Sequence, residues 1–285
     1  RFTIKDRHLS FALSEKNLEH RQFRHLLAAI KKLNEWIALP DVDWIMSLED
    51  GFTKEVGIPL FVYAKAQTAA SLVLMPDFKA LTGYPGLRHA IEVGNQKWPW
   101  ENKTAKAFWR GSTTGGWLTA CNWDQIARVK LALLARSHPE KMDARLTDVV
   151  QCDPGLPAFI QAQGLVGKKV SQADHLQYKY LVDVDGNSCS FERYFWVLLS
   201  NCVVLKQMTS NIQWYYGGLQ PYEHFIPVKE DLSDLMEKIQ WVQLHDQEAK
   251  QIANNATAFI KNTLSPEDIF VYMAHLLQAY AKIFK

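Results

Sequence analysis

Ala105-Lys-Ala-Phe-Trp-Arg-Gly-Ser-Thr-Thr-Gly-Gly116 is the stretch whose reading decides the fold. Residues 105–109 have the apolar, aromatic make-up of a buried strand. Residues 111–116 are glycine, serine and threonine, and helical spacing follows over 124–137, giving strand, loop, helix. The same rhythm continues downstream. Residues 180–184 and 202–205 are strand-length apolar runs, and 190–200 between them is expected to be helical. Leu232, Leu235, Met236, Ile239 and Val242 keep helical spacing, as do Ala249, Ile252, Ala253, Ala256 and Phe259, and Pro266 opens a last helix. Such alternation predicts an α/β fold with parallel sheets and right-handed crossovers.

Upstream, Phe23, Leu26, Leu27, Ile30 and Leu33 mark one face of a helix over 17–38, which Pro40 stops. Short buried strands are expected at 44–48, ending in Glu49-Asp50-Gly51, and at 59–64. Residues 76–103 carry Pro76, Gly83, Pro85, Gly86, Gly94 and Pro99 and are expected to form a turn-rich connection. No internal repeat or low-complexity segment is present.

The chain has 285 residues, enough for one large domain or two ordinary ones. Hydrophobic content of 48% and charged content of 22% are those of a water-soluble globular protein. A net charge of +2 without a basic block argues against nucleic acid as a partner, because phosphate-backbone binding needs clustered Lys and Arg. Cys121, Cys152, Cys189 and Cys202 have neither metal-ligand spacing nor the density of a disulfide framework, so a reducing compartment is expected. No apolar run approaches the roughly 20 residues of a membrane span. The chain opens on Arg1, which leaves room for an upstream targeting segment. Of the ten Trp, those at 98, 100, 109, 117 and 123 crowd one stretch and are expected mostly to pack cores.

Residues 174–228 are dense in Tyr, Trp, Arg and His, side chains that join flat apolar area to a polar tip, as a pocket for a polar, ringed ligand requires. Arg110, Gly111, Ser112, Thr113 and Thr114 lie between strand and helix, where amide N–H groups, hydroxyls and one guanidinium would cradle an anion; a plain glycine-rich connection reads about as well. The loop matches neither the P-loop nor the dinucleotide fingerprint. Arg193, following Gly186-Asn187-Ser188-Cys189-Ser190, is a cation at a strand-to-helix switch and suits a diphosphate; a surface ion pair is the plainer alternative. Asp50, where a strand empties, is a candidate general base or a helix cap. Asp41-Val42-Asp43 and Asp183-Val184-Asp185 spell Asp-x-Asp, a weak metal signal that reads better as strand entry and turn. Tyr180 is grouped with the donor residues, and His175, Tyr178 and His224 are taken as substrate contacts, a core role being the plainer reading of His224.

Together these pieces resemble glycosyltransferase family 90, which holds Rumi-like protein O-glucosyltransferases, capsule-associated xylosyltransferases and lipopolysaccharide-modifying members. The ordered matches are Leu48-Glu49-Asp50, Trp98-Pro99-Trp100, Trp109-Arg110-Gly111-Ser112, Tyr178-Lys179-Tyr180-Leu181, Gly186 to Arg193, Val203-Val204-Leu205-Lys206, and Trp214 to Val228 followed by Asp231-Leu232. The most specific is Leu219-Gln-Pro-Tyr-Glu-His-Phe-Ile-Pro-Val228.

The resemblance implies a GT-B-like architecture of two Rossmann-like domains facing a cleft. The expected domains are 1–103 on the acceptor side, 104–264 holding the UDP-sugar, and a C-terminal helix over 265–285 returning to the first domain. It further implies transfer of glucose or xylose from a UDP-sugar with inversion, no metal and no cofactor beyond that co-substrate. Asp50 falls on the family's base. Arg110 with its loop, Ser190 and Arg193 fall on its donor-binding residues. Two departures stand out: Thr113 occupies the position of a second Arg in Rumi-type members, and one extra residue separates Ser190 from Arg193. The acceptor expected is a glycan, lipid-linked or protein hydroxyl, lipopolysaccharide-type above all. The setting expected is cytoplasmic, with peripheral contact to a membrane-bound acceptor at the inner membrane. A non-catalytic sugar-nucleotide binder and a metal-dependent transferase using Asp183 and Asp185 are the competing readings.

Overall fold

The computed structural model describes residues 1–13, 21–52 and 54–283. From the start the elements are β1 (Phe2–Lys5), β2 (His8–Phe11), α1 (Arg21–Trp36), β3 (Val42–Met46), β4 (Leu60–Val62), β5 (Lys65–Ala66), β6 (Leu72–Leu74), α2 (Pro85–Lys97) and β7 (Thr104–Ser112). There follow α3 (Ala127–Ser137), β8 (Met142–Asp148), α4 (Leu156–Ala162), α5 (Gln172–His175), β9 (Tyr178–Asp183), α6 (Glu192–Leu199) and β10 (Val203–Gln207). The chain closes with β11 (Asn211–Ile212), β12 (Ile226–Val228), α7 (Leu235–Leu244), α8 (Asp246–Thr263) and α9 (Pro266–Ile283). Of the helix expected over 17–38, residues 17–20 lie outside the described residues.

The chain divides into two compact units. The first is Arg1–Pro85 with Ser210–Gly217 and Asn262–Lys285, and the second is Gly86–Thr209 with Gly218–Lys261. The division therefore falls after Pro85, whereas the sequence suggested 103/104, and a short excursion through β11 belongs to the first unit.

In the first unit, β2-β1-β3-β4-β6 form one sheet, antiparallel through β1 and parallel from β3 to β6. Phe2 stacks on Trp44 with ring centroids 5.1 Å apart, and Phe23, Leu26, Ile30 and Leu33 of α1 are buried. The ring of Tyr280, from α9, meets Phe61 edge-on at 4.9 Å. Burying such side chains contributes about 1.5–3 kcal/mol each, which offsets the entropy of ordering short strands.

In the second unit, five strands in the order β12-β10-β9-β7-β8 are all parallel. A parallel sheet covered on both faces needs strands buried on both sides. Every residue of Val203-Val204-Leu205-Lys206-Gln207 is buried. The expected α/β class with Rossmann-like parallel strands is what the chain adopts.

The turn-rich reading of 76–103 missed α2. Pro85 stands at its first position, where a missing N–H costs nothing. Gly94, inside the helix, lets Leu176 approach: a Cβ there would lie 2.7 Å from the Leu176 side chain. Both residues serve the helix rather than break it.

Candidate functional site

Within the second unit the sheet grows from β7 towards β8 on one side and towards β9, β10 and β12 on the other. The connections therefore part at the carboxyl ends of β7 and β9, the place where open α/β sheets leave a crevice for ligands. Ser112 ends β7, Asp183 ends β9, and the loop through Ser190 leads into α6 with Arg193 in its first turn.

The two loops meet closely. The amide of Gly115 donates to the Asn187 side chain at 3.2 Å. A Cβ on Gly186 would lie 2.7 Å from Thr114 Oγ1 and 2.9 Å from Arg128 Nη2, so only glycine admits this approach. Phe191, between Ser190 and Arg193, holds a φ of +48°, a region that side chains with a Cβ disfavour. Strain of this kind persists where surrounding contacts over-determine the backbone.

Two guanidinium groups occupy the crevice. Arg128, from the first turn of α3, donates to the carbonyls of Asp185 (3.0 Å), Ser112 (3.2 Å) and Val184 (3.2 Å) and to Thr114 Oγ1 (2.6 Å). Arg193 donates to the Arg110 carbonyl. Their charge centres lie 5.9 and 5.8 Å from the Trp109 ring. Burial, then the neighbouring Arg193, pulls the pKa of Arg128 down to about 10, against the opposing pull of Asp183 and Asp185. Burial likewise holds Arg193 below the ordinary arginine range. Among the described residues neither forms an ion pair with a carboxylate.

The carboxylates nearby are taken by a third cation. Lys206 Nζ lies 2.9 Å from Asp183 and 2.7 Å from Asp185, both buried. Asp183 also accepts from Ser190 Oγ at 2.6 Å, and Asp185 from Thr209 Oγ1 at 2.6 Å. Burial alone would lower the pKa of Lys206, but attraction to Asp183 and Asp185 outweighs it and the net shift is upward. This Asp-x-Asp therefore grips an ammonium group. Among the described residues, one buried and two half-buried cations face these two carboxylates, so the crevice carries a net positive charge.

Several expected residues lie elsewhere. Arg110 turns its guanidinium to Asp143, at 2.8 Å, and stacks over Phe108 at 4.3 Å; its carbonyl, not its charge, belongs to the crevice. Gly111 and Ser112 are strand residues in register with β8 rather than loop residues. The Thr113 hydroxyl is exchanged with Val150, accepting its N–H at 2.8 Å and donating to its carbonyl at 2.7 Å. Tyr180 is fully buried, donating to the Val242 carbonyl at 3.4 Å; burial, then Asp246, raises its pKa to about 12. His175 donates from Nδ1 to the Ser171 carbonyl at 2.7 Å, and its ring meets Phe108 and Trp196 edge-on. Burial pushes its pKa down to about 4. Tyr178 stacks flat on Phe108 at 4.1 Å. His224 Nδ1 accepts the Gln220 amide at 3.0 Å and closes a turn. Tyr180 and His175 are thus buried in the core, Tyr178 is half-buried, and His224 holds a turn.

In the first unit, Asp50 is exposed, four residues beyond the end of β3. Sequence reasoning missed Arg128 and Lys206. The signal for Lys206 was available: a lysine inside an apolar strand is almost never buried without a partner. A separate cavity of about 290 Å³ lies at the opposite, amino edge of the sheet, against Lys106, Arg136, Asp143 and Arg145.

The family model described as Glycosyl transferase family 90 matches residues 3–285. Protein O-glucosyltransferase 2 of Danio rerio is 31% identical over 280 residues, covering 93% of this chain and 52% of that protein. Protein O-glucosyltransferase 3 of Rattus norvegicus is 28% identical over 282 residues, covering 98% and 47%. The chain thus spans about half the length of the curated relatives it matches. Among solved structures, Anabaena HepE in complex with UDP-glucose superposes with a TM-score of 0.48 at 14% identity, covering 93% of this chain and 70% of that one.

Proposed function

The chain belongs to glycosyl transferase family 90, and on that premise we propose that it transfers a sugar, glucose first, from a UDP-sugar to an acceptor hydroxyl. The observation that carries the donor half is the pair of half-buried guanidinium groups, Arg128 and Arg193, with no carboxylate ion pair among the described residues, at the carboxyl edge of a parallel sheet. Charge of one sign drawn partly out of water is costly unless an opposite charge meets it. A diphosphate supplies that charge. As the glycosidic bond breaks, negative charge grows on the departing UDP, so fixed cations there lower the barrier more than they tighten ground-state binding.

Asp50 is the proposed base. Its carboxylate would take the acceptor proton while the oxygen attacks the anomeric carbon opposite UDP, which inverts the stereochemistry. The reaction is proposed to need no metal, since the carboxylates of the second Asp-x-Asp are already engaged by Lys206. The acceptor proposed is a glycan or other glycoconjugate such as lipopolysaccharide, met at the cytoplasmic membrane face. The relatives' names favour a protein hydroxyl as the second reading. No described helix is long and apolar enough to cross a membrane.

Incubation with a panel of UDP-sugars in excess EDTA, with UDP release as the readout, tests this. Turnover with UDP-glucose is expected, and Asp50→Asn should lower it roughly 10²–10⁴-fold with UDP binding intact. A strict requirement for manganese or magnesium would overturn the metal-free step. Wild-type turnover in Asp50→Asn would remove Asp50 as the base.

A further inference from the structure

We propose that Lys206 is a positioning residue for the donor site: one ammonium group fixes the loop between β9 and α6, and through it Arg193 and Arg128. This rests on the UDP-sugar reading above. The connections are short and all within the second unit. Lys206 Nζ holds Asp183, the last residue of β9, at 2.9 Å and Asp185, two residues beyond, at 2.7 Å. Asp183 in turn holds the Ser190 hydroxyl at 2.6 Å, which anchors the far end of the loop three residues before Arg193. Asp185 carries the carbonyl that accepts from Arg128 Nε at 3.0 Å, and its amide donates to Gln207 Oε1 at 3.1 Å. Thr209 closes the same carboxylate from the other side at 2.6 Å. Lys206 thus reaches both ends of the loop that presents one cation and the carbonyl that seats the other.

The charges permit a test that separates positioning from simple attraction. In the wild type three cations face two carboxylates. In the triple variant Lys206→Met, Asp183→Asn, Asp185→Asn, Arg128 and Arg193 stand alone and the net positive charge rises. A purely electrostatic role therefore predicts tighter UDP binding. Positioning predicts weaker binding, because a neutral amide no longer grips the loop ends.

Replacing a buried ion cluster by neutral groups commonly preserves stability, so the triple variant should keep a melting temperature near that of the wild type. Hydrogen exchange of the amides over residues 186–193 would be measured alongside calorimetry with UDP, on the triple variant and on Lys206→Met. The expected result is faster exchange confined to that loop and UDP binding weaker by roughly 10- to 100-fold. Unchanged exchange overturns the proposal, as does faster exchange with unchanged UDP affinity. Failure of both variants to fold also overturns it, making Lys206 a residue of global stability. If the wild type binds no UDP, the donor reading falls, while the exchange measurement still decides whether Lys206 fixes the loop.

Discussion

Asp-Val-Asp occurs twice in this chain, at 41–43 where β3 begins and at 183–185 where β9 ends. At the first, Asp43 is 46% exposed and bonds Arg1 and Thr3, while Asp41 accepts the Asp6 amide at 2.8 Å. At the second, Asp183 and Asp185 are 0% and 6% exposed and share Lys206. The same three residues make a surface contact at a strand's entry and a charged knot at a strand's exit. In parallel α/β sheets the exit edge is where ligands bind, so the loops there must be held while the entry edge need only stay soluble. Position along the strand and burial, not the tripeptide, decide the role.

That contrast breaks most visibly by removing one carboxylate from each. Asp183→Ala leaves Lys206 with half its partners and Ser190 without an acceptor, at a cost of about 3–5 kcal/mol in denaturant unfolding. A loss below about 1 kcal/mol would mean that the buried knot is as dispensable as a surface pair.

Acid should sharpen the contrast further. His175, buried in the second unit, has a folded pKa of about 4 against an ordinary 6.5. Between those values the unfolded chain binds the proton and the folded one does not, so stability present above pH 6.5 is lost as pH falls towards 4. The loss amounts to at most roughly 3 kcal/mol. His175→Phe should flatten this part of the stability profile. An unchanged slope would assign the acid sensitivity to other groups.

The smallest effect is expected at the first motif. Asp43 has its pKa lowered by the Arg1 hydrogen bond, then by Thr3, yet solvent screens an exposed pair. Asp43→Asn should shift unfolding by under about 1 kcal/mol.

Much of the second unit was legible in the sequence. Strand-length runs at 180–184 and 202–205, the helix between them, and the loop after β7 follow from apolar runs and glycine placement. Arg193 was singled out because a cation at a strand-to-helix switch is a local pattern, and the fold places it in the crevice. The ion pair of Arg110 was not legible because sequence shows only its neighbours in the chain; its partner Asp143 lies on the adjacent strand, 33 residues on. Arg128 and Lys206 stayed hidden for the same reason, since their partners are set by strand order. The second unit's β8 and the first unit's hairpin of β1 and β2 were unread too: Met142–Asp148 alternates buried apolar residues with half-buried or exposed polar ones, and β2 is mostly exposed.

The measurement that tests the central claim most directly is UDP calorimetry on Arg193→Met beside Arg110→Met. If the half-buried cations at the carboxyl edge of β7 and β9 hold the donor, Arg193→Met should weaken UDP by roughly 10- to 100-fold, and Arg110→Met should leave UDP affinity unchanged while lowering the melting temperature. The reverse pattern, with Arg110 controlling UDP and Arg193 indifferent to it, would contradict the account.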